Sequence, residues 1–308
     1  MTNLQRMASS PQVMRLALWF SQHTPEGLGH HLARWGAGVL CQVKPAVYQI
    51  VRANLSQVLG PGAEGQTLEQ NVRQVFYSAM RGYYDLYRAL RLSREEISAS
   101  IDFPEEAKEL ARSVLDREGG SVLVFPHLGN FDLAGHAIAD LAPKMQLFTL
   151  PDPPPGFEFA NELRERTGVE VTPLNSASLR KAIRLLRGGG VVALAGDRPV
   201  SDLDEPVPFF GRPARLPSGH VRLALKTSAK VVVACCYLSP ETGRYTIHIE
   251  PPLEMVRTGN RDEEVELNAR RVLDSLEGVI RRWVGQWQMF EPVWPQLLVA
   301  QRPKTCEF

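Results

Sequence analysis

With 308 residues, 44% of them apolar and 22% charged, the chain has the composition of an ordinary globular protein long enough to bury a substantial core, which excludes a disordered chain. A formal net charge of +1 provides no global field for a polyanion, no aromatic and basic binding motif accompanies it, and no nucleic-acid partner is expected. Cys41, Cys235, Cys236 and Cys306 lack metal-ligand spacing and read as small apolar residues of a reduced, cytosolic chain, so no metal is expected.

The first hundred residues read as amphipathic helices. Val13, Met14, Leu16, Trp19 and Phe20 form a short apolar patch, and after a break at Gly27 and Gly29 the residues Leu32, Trp35, Val39 and Leu40 repeat at helical spacing. Such a stripe suits a helix lying on a membrane surface and equally one packed on a core, and the pattern leaves both open. No apolar run approaches the roughly 18 residues of a spanning helix, and the amino terminus lacks a signal-peptide apolar region. A long helix follows from Glu69 to Leu92, with Phe76, Met80, Tyr84 and Leu86 as core positions.

From Phe103 onward helix and strand alternate. Helices are predicted over 105–117, 131–141, 157–167 and 177–186, and strands over 121–125, 145–150, 169–173 and 191–195. Asn175 caps the fourth helix, and Gly188, Gly189 and Gly190 stop it. This alternation predicts an α/β fold with a mostly parallel central sheet, whose functional loops lie at the carboxyl ends of the strands. Pro151 to Gly156 reads as a stiff loop near that site. Lys230 to Tyr237 and Tyr245 to Glu250 read as an antiparallel, half-exposed edge hairpin with His248 facing solvent, and 261–287 as a charged amphipathic helix.

The most informative stretch is Ser121 to Asp140, SVLVFPHLGNFDLAGHAIAD. Its apolar strand breaks at Pro126 and Gly129, and helical spacing resumes at Phe131. His127 is thereby placed at the end of a buried strand and Asp132 in the first turn of the next helix. Asp132 is expected to accept a hydrogen bond from one ring nitrogen of His127, leaving the other as a general base. Gly129 and Asn130, at the helix start, are candidates to support an oxyanion, Asn130 having the competing role of helix N-cap. No serine nucleophile elbow and no zinc-protease histidine spacing is present.

HLGNFD resembles the HxxxxD motif of glycerolipid acyltransferases, and within them the bacterial lipid A and phosphatidylinositol mannoside acyltransferases. Further segments follow in the family's order: Gly196-Asp197-Arg198 after an apolar run, VPFFG at Val207 to Gly211, Pro217-Ser218-Gly219 opening a helix, KVVVACCY, and the closing QWQMFEPVW at Gln286 to Trp294. The wording of that ending is nearest the mannoside acyltransferases. The resemblance covers Asn54 to Trp294. It implies a helical, membrane-facing region over 1–100 packed on an α/β core over 101–308, and direct acyl transfer by His127 and Asp132. The donor would be acyl-CoA or acyl-carrier protein, without a further cofactor, and the acceptor a membrane lipid. Asp197 and Arg198 would hold the acceptor head group, with Arg164 and Arg166 as candidates for substrate phosphates. The protein would sit peripherally on the cytoplasmic face of a bacterial plasma membrane. A catalytically inert lipid-binding relative is the alternative that the His127 and Asp132 pair speaks against.

Overall fold

The computed structural model describes residues 11–62, 65–115, 119–142, 144–149, 157–166, 168–201 and 204–300. Pro151 to Gly156 and Cys306 lie outside these residues. Among the described residues five helices come first: α1 (Pro11–His23), α2 (Glu26–Val43), α3 (Ala46–Leu59), α4 (Gln66–Ala89) and α5 (Arg94–Ala99). The strand β1 (Ile101–Asp102) and helix α6 (Glu105–Leu115) lead into the alternating core. There β2 (Ser121–Phe125), α7 (Phe131–Ala139), β3 (Met145–Thr149), α8 (Phe157–Arg166), β4 (Glu170–Pro173), α9 (Ser176–Arg187) and β5 (Val191–Ala195) follow one another. The hairpin β6 (Pro206–Phe209) and β7 (Arg212–Arg215), then α10 (Gly219–Thr227), β8 (Lys230–Leu238), β9 (Tyr245–Ile249), α11 (Arg261–Arg282) and α12 (Pro295–Ala300) follow among the described residues.

The strands form a seven-stranded sheet in the order β1-β9-β8-β2-β5-β3-β4, parallel throughout except for the β8 and β9 pair. Val122 and Val124 of β2 and Val231, Val232 and Val233 of β8 are wholly buried, as a parallel sheet covered on both faces requires. The α/β architecture with an antiparallel component is therefore as expected. One detail differs. The β9 strand is not an edge, because the two-residue β1 pairs with it through Ile101 and Tyr245. His248 is correspondingly not free in solvent: it bonds Glu250 at 2.9 Å and meets the ring of Trp283 edge-on.

The VPFFG segment forms the turn and first strand of the β6 and β7 hairpin. Phe209 pairs with Arg212 across the two-residue turn Phe210-Gly211, both at positive φ (50° and 74°), as a type I′ turn demands. Prolines 206 and 208 hide the strand character, yet a two-stranded ribbon tolerates them on its outer edge. Phe209 stacks on Trp294 and contacts Trp287. Asn54 ties α3 to the same closing segment, donating to the carbonyls of Met289 (3.1 Å) and Glu291 (2.8 Å) and accepting from the Val293 N–H (3.2 Å). The separated motifs of the sequence thus meet in one packed corner behind the carboxyl ends of the strands.

Candidate active site

The register of the sheet brings two loops together. Phe125 pairs with Ala195, and the Gly196 N–H continues the ladder to the Phe125 carbonyl at 3.1 Å, so His127 and Asp197 each stand two residues beyond paired positions. Asp197 is wholly buried. One of its oxygens accepts from His127 Nδ1 at 2.7 Å; the other accepts from the His127 backbone N–H and from Trp287 Nε1, both at 2.8 Å. A carboxylate at Nδ1 fixes the proton there and leaves the lone pair on Nε2. Nε2 has no hydrogen-bond partner among the described residues, and the ring lines a cleft of about 590 Å³.

His127 is held by its backbone as well. The Gln288 N–H donates to the His127 carbonyl at 2.7 Å, Leu128 bridges Trp287, and the Gln288 side chain donates to the Gly129 carbonyl at 2.6 Å. Gly129 lies at φ +60°, and a Cβ there would collide with the Cys236 carbonyl oxygen, so only glycine lets the loop pass over β8. The closing QWQ segment therefore acts as a clamp on HLGN. Sequence reading recognised its wording and missed this role. A hydrogen bond between residues 159 positions apart, such as that from Gln288 to Gly129, has no local signal.

The expected pairing of His127 with Asp132 is not what the structure contains. Asp132 projects from the first turn of α7 toward α8, where Arg164 Nε donates to its Oδ1 at 2.7 Å and Arg164 Nη2 to the same oxygen. Arg164 Nη1 also donates to Asn161 at 2.8 Å, so a carboxylate and an amide hold the guanidinium, and Asp132 and Arg164 both line the cleft. The physical reason is competition: the guanidinium fork offers Asp132 two charged donors, while the imidazole is already engaged by Asp197.

Three further expectations change. Asp197 was expected to hold an acceptor head group, but it is sealed from the cleft and its oxygens are occupied by the three donors named above. The Gly129 N–H donates to the Gln286 carbonyl at 3.1 Å, and Asn130 is the N-cap of α7, accepting from the Leu133 N–H while donating to the Gly82 carbonyl at 3.1 Å. Both groups expected to support an oxyanion are thus engaged in structure. Arg166 lies away from the cleft, bonding the Leu90 carbonyl (2.6 Å) and Glu162 (2.8 Å), whereas Arg198 does line the cleft, paired with Glu291 at 3.0 Å.

Beyond the polar group at His127 the cleft is mostly apolar, walled by Leu147, Phe148, Leu179, Ile183 and Leu194. An imidazole with one free basic nitrogen at the side of a long apolar trough suits proton removal from a hydroxyl beside an aliphatic substrate. Among the described residues no cluster of His, Cys, Asp and Glu could hold a metal ion.

Comparison with known proteins gives this geometry a family. The phosphatidylinositol mannoside acyltransferase of Mycolicibacterium smegmatis (strain ATCC 700084 / mc(2)155) is 24% identical over 265 residues, 84% of this chain and 84% of the relative. The protein of the same description from Mycobacterium tuberculosis (strain ATCC 25618 / H37Rv) is 25% identical over 256 residues, 79% of this chain and 76% of the relative. A crystal structure of the 1-acyl-sn-glycerophosphate acyltransferase PlsC from Thermotoga maritima covers 77% of this chain and 98% of its own, at 12% identity and a TM-score of 0.34, too remote a likeness to carry geometry across. Residues 12–296 match the family model for bacterial lipid A biosynthesis acyltransferases, from the first amphipathic helix to the closing tryptophan, and the chain belongs to that family of acyltransferases.

Proposed function

We propose that the chain moves a fatty acyl group from a thioester donor, acyl-CoA or acyl-carrier protein, to a hydroxyl of a membrane glycolipid, by direct transfer with His127 as general base. The observation that carries this reading is the His127 and Asp197 pair beside an apolar cleft. The names of the mannoside acyltransferase relatives support a glycolipid acceptor. His127 Nε2 takes the acceptor proton as that oxygen attacks the thioester carbonyl; Asp197 stabilises the resulting imidazolium. The C–S bond then breaks, the leaving thiolate recovers the proton from Nε2, and ester and free thiol depart without a covalent acyl-enzyme. The backbone N–H groups of Phe131 and Asp132, in the first turn of α7 and at the cleft, are the oxyanion donors in this scheme, because the first N–H groups of a helix have no intrahelical acceptor and the Asn130 cap takes only that of Leu133. Asp132 holds Arg164 at the cleft wall, where the guanidinium serves substrate binding.

The amino-terminal helices support a peripheral attachment. Helix α2 packs on α4 through its small residues: Gly29, Ala33 and Ala37 are buried, and a Cβ on Gly29 would collide with the ring of Tyr84. Most of its large apolar residues point away, while Leu40 packs against the core. Leu28, Leu32, Trp35, Val39 and Val43 are exposed on α2, and Val13, Leu16 and Trp19 on α1, with Trp35 69% and Trp19 58% accessible. A helix that buries its small residues and exposes its large ones has the amphipathic sense of an interfacial helix, with tryptophans suited to the headgroup boundary. Among the described residues no helix is long and apolar enough to cross a membrane. We place the working protein on the cytoplasmic membrane surface.

The test is release of free thiol from palmitoyl-CoA in the presence of vesicles containing a mannosylated phosphoinositide. Wild-type protein should release thiol only when the acceptor is present and form acylated lipid in equal amount. His127→Ala should lower turnover by about 10³-fold, the middle of the range for general acid-base groups, with an unchanged melting temperature. Near-normal turnover in that variant would sink the mechanism.

A further inference from the structure

The charge in the cleft is not balanced. Among the described residues its lining carries five cationic side chains and two carboxylates, a local excess of three in a chain whose net charge is +1. Arg164 and Arg198 are matched by Asp132 and Glu291. The excess falls on Arg222 and Lys226 of α10 and Arg261 at the start of α11, all three in the lining of the same cleft. Lys226 and Arg261 make no ion pair or hydrogen bond among the described residues; Arg222 Nε donates to Ser218 Oγ at 3.3 Å and its charge is also felt by the Asp204 carboxyl. Arg222 and Lys226 are one helical turn apart and so share a face of α10. The same helix begins inside the cleft at Pro217 and Gly219, and Ser218 makes no side-chain cap to its first turn, so the positive end of the helix adds to the field.

Cations left unpaired among the described residues, on the wall of an otherwise apolar trough, match an amphiphile whose polar terminus is anionic. We propose that Arg222, Lys226 and Arg261 form a phosphate-binding subsite that anchors a phosphate ester of the cleft's substrate while the aliphatic part lies along the apolar wall. This rests on the acyl-transfer reading above and deepens it. Two sources share the chemistry: the phosphates of acyl-CoA and the phosphodiester of a phospholipid acceptor. The three side chains are exposed, so neutralising them disturbs no packed contact. The alternative use of such a patch, general attraction to anionic membranes, would not depend on which cations are removed.

The experiment uses the full chain carrying Arg222→Gln, Lys226→Gln and Arg261→Gln together, beside a control with the same charge change outside the cleft, Arg180→Gln, Arg184→Gln and Arg187→Gln on α9. Steady-state constants are measured for palmitoyl-CoA, for a phosphate-free S-acyl-N-acetylcysteamine thioester, and for phosphodiester and uncharged glycolipid acceptors. The expected result is a rise of at least tenfold in KM for one phosphorylated substrate, with kcat within twofold of wild type and no change for its phosphate-free counterpart. A rise for palmitoyl-CoA alone assigns the subsite to the donor; a rise for the phosphodiester lipid alone assigns it to the acceptor. Unchanged KM for both phosphorylated substrates, or an equal rise in the α9 control, overturns the proposal. Calorimetric titration with CoA, and separately with vesicles containing phosphatidylinositol, separates this proposal from the catalytic one. If wild type binds either and the α10 and α11 variant does not, the subsite stands even where no transfer is seen; if wild type binds neither, it falls.

Discussion

The loop around His127 and the outer face of α1 and α2 obey opposite rules. At the loop, both carboxylate oxygens of Asp197 are buried and bonded, and the backbone of residues 127–129 is tied to residues 286–288 by several hydrogen bonds. On the helices, large apolar side chains stand in the open while glycine and alanine fill the contact with α4. The first arrangement fixes geometry, as a general base requires. The second leaves apolar area unspent inside the protein and available to a second phase. In the proposed reading the chemistry belongs to the tied loop and the attachment to the exposed face.

The sharpest way to break this comparison is to exchange the two carboxylates. Asp197→Asn should lower kcat by about 10³-fold, since the amide offers an N–H where the imidazole or the Trp287 N–H needs an acceptor, and it carries no charge to stabilise the imidazolium. Asp132→Asn should cost much less, about tenfold, and act mainly on KM through a loosened Arg164. Steady-state kinetics of the two variants decide it: a larger kcat loss at Asp132 would return the base-orienting role to that residue.

These two residues also show how much the sequence discloses. The run Val122 to Phe125, broken at Pro126, places His127 at a strand end, and the run Val191 to Ala195 does the same for Asp197. Their convergence follows from parallel topology. Which carboxylate faces the imidazole does not, because it depends on Arg164 reaching Asp132 from a separate helix and on Trp287 reaching Asp197 from the other end of the chain. The stripe of Leu32, Trp35 and Val39 is legible as a stripe in either role. Only the packing of Gly29 and Ala33 on α4 shows which face is inside.

The exposed face yields the next largest effect. Trp19→Gln with Trp35→Gln removes two side chains whose burial in an interface is worth about 1.5 kcal/mol each, so binding to anionic vesicles should fall by about 10²-fold in a sedimentation assay. Transfer to a short-chain, water-soluble acceptor should be retained. Loss of folding would instead make the patch part of the core.

Two buried histidines sharpen the contrast within the core itself. Among the described residues neither ring nitrogen of His136 or His220 has a hydrogen-bond partner, and burial depresses both to about 4. Each folded-state value lies below the unfolded one near 6.5, so between these limits the unfolded chain binds more protons and stability must rise with pH. It should be full above pH 7 and fall as pH drops from 6.5 toward 4, by up to about 3 kcal/mol for the fully buried His220 and by less for His136. Denaturant melts at pH 7 and pH 4.5 measure this, and His220→Leu should reduce the difference. An unaltered difference in that variant would mean that His220 is not the group being protonated.

The smallest effect tests whether the clamp acts on chemistry or only on packing. Trp287 and Trp294 share one aromatic cluster with Phe209 and Phe210, and both are almost fully buried. They differ in what the indole N–H meets: Trp287 donates to the Asp197 carboxylate at 2.8 Å, Trp294 to the Arg212 carbonyl at 3.4 Å. Replacing either by Phe shrinks the ring and should destabilise the fold by about 1 to 3 kcal/mol. Only Trp287→Phe leaves an oxygen of the buried carboxylate with a single donor, so only there should kcat fall, by about tenfold, while KM is unchanged because the indole does not line the cleft. Trp294→Phe should melt earlier and turn over normally. Equal kcat in the two variants would reduce the closing tryptophans to packing and leave the orientation of Asp197 to His127 alone.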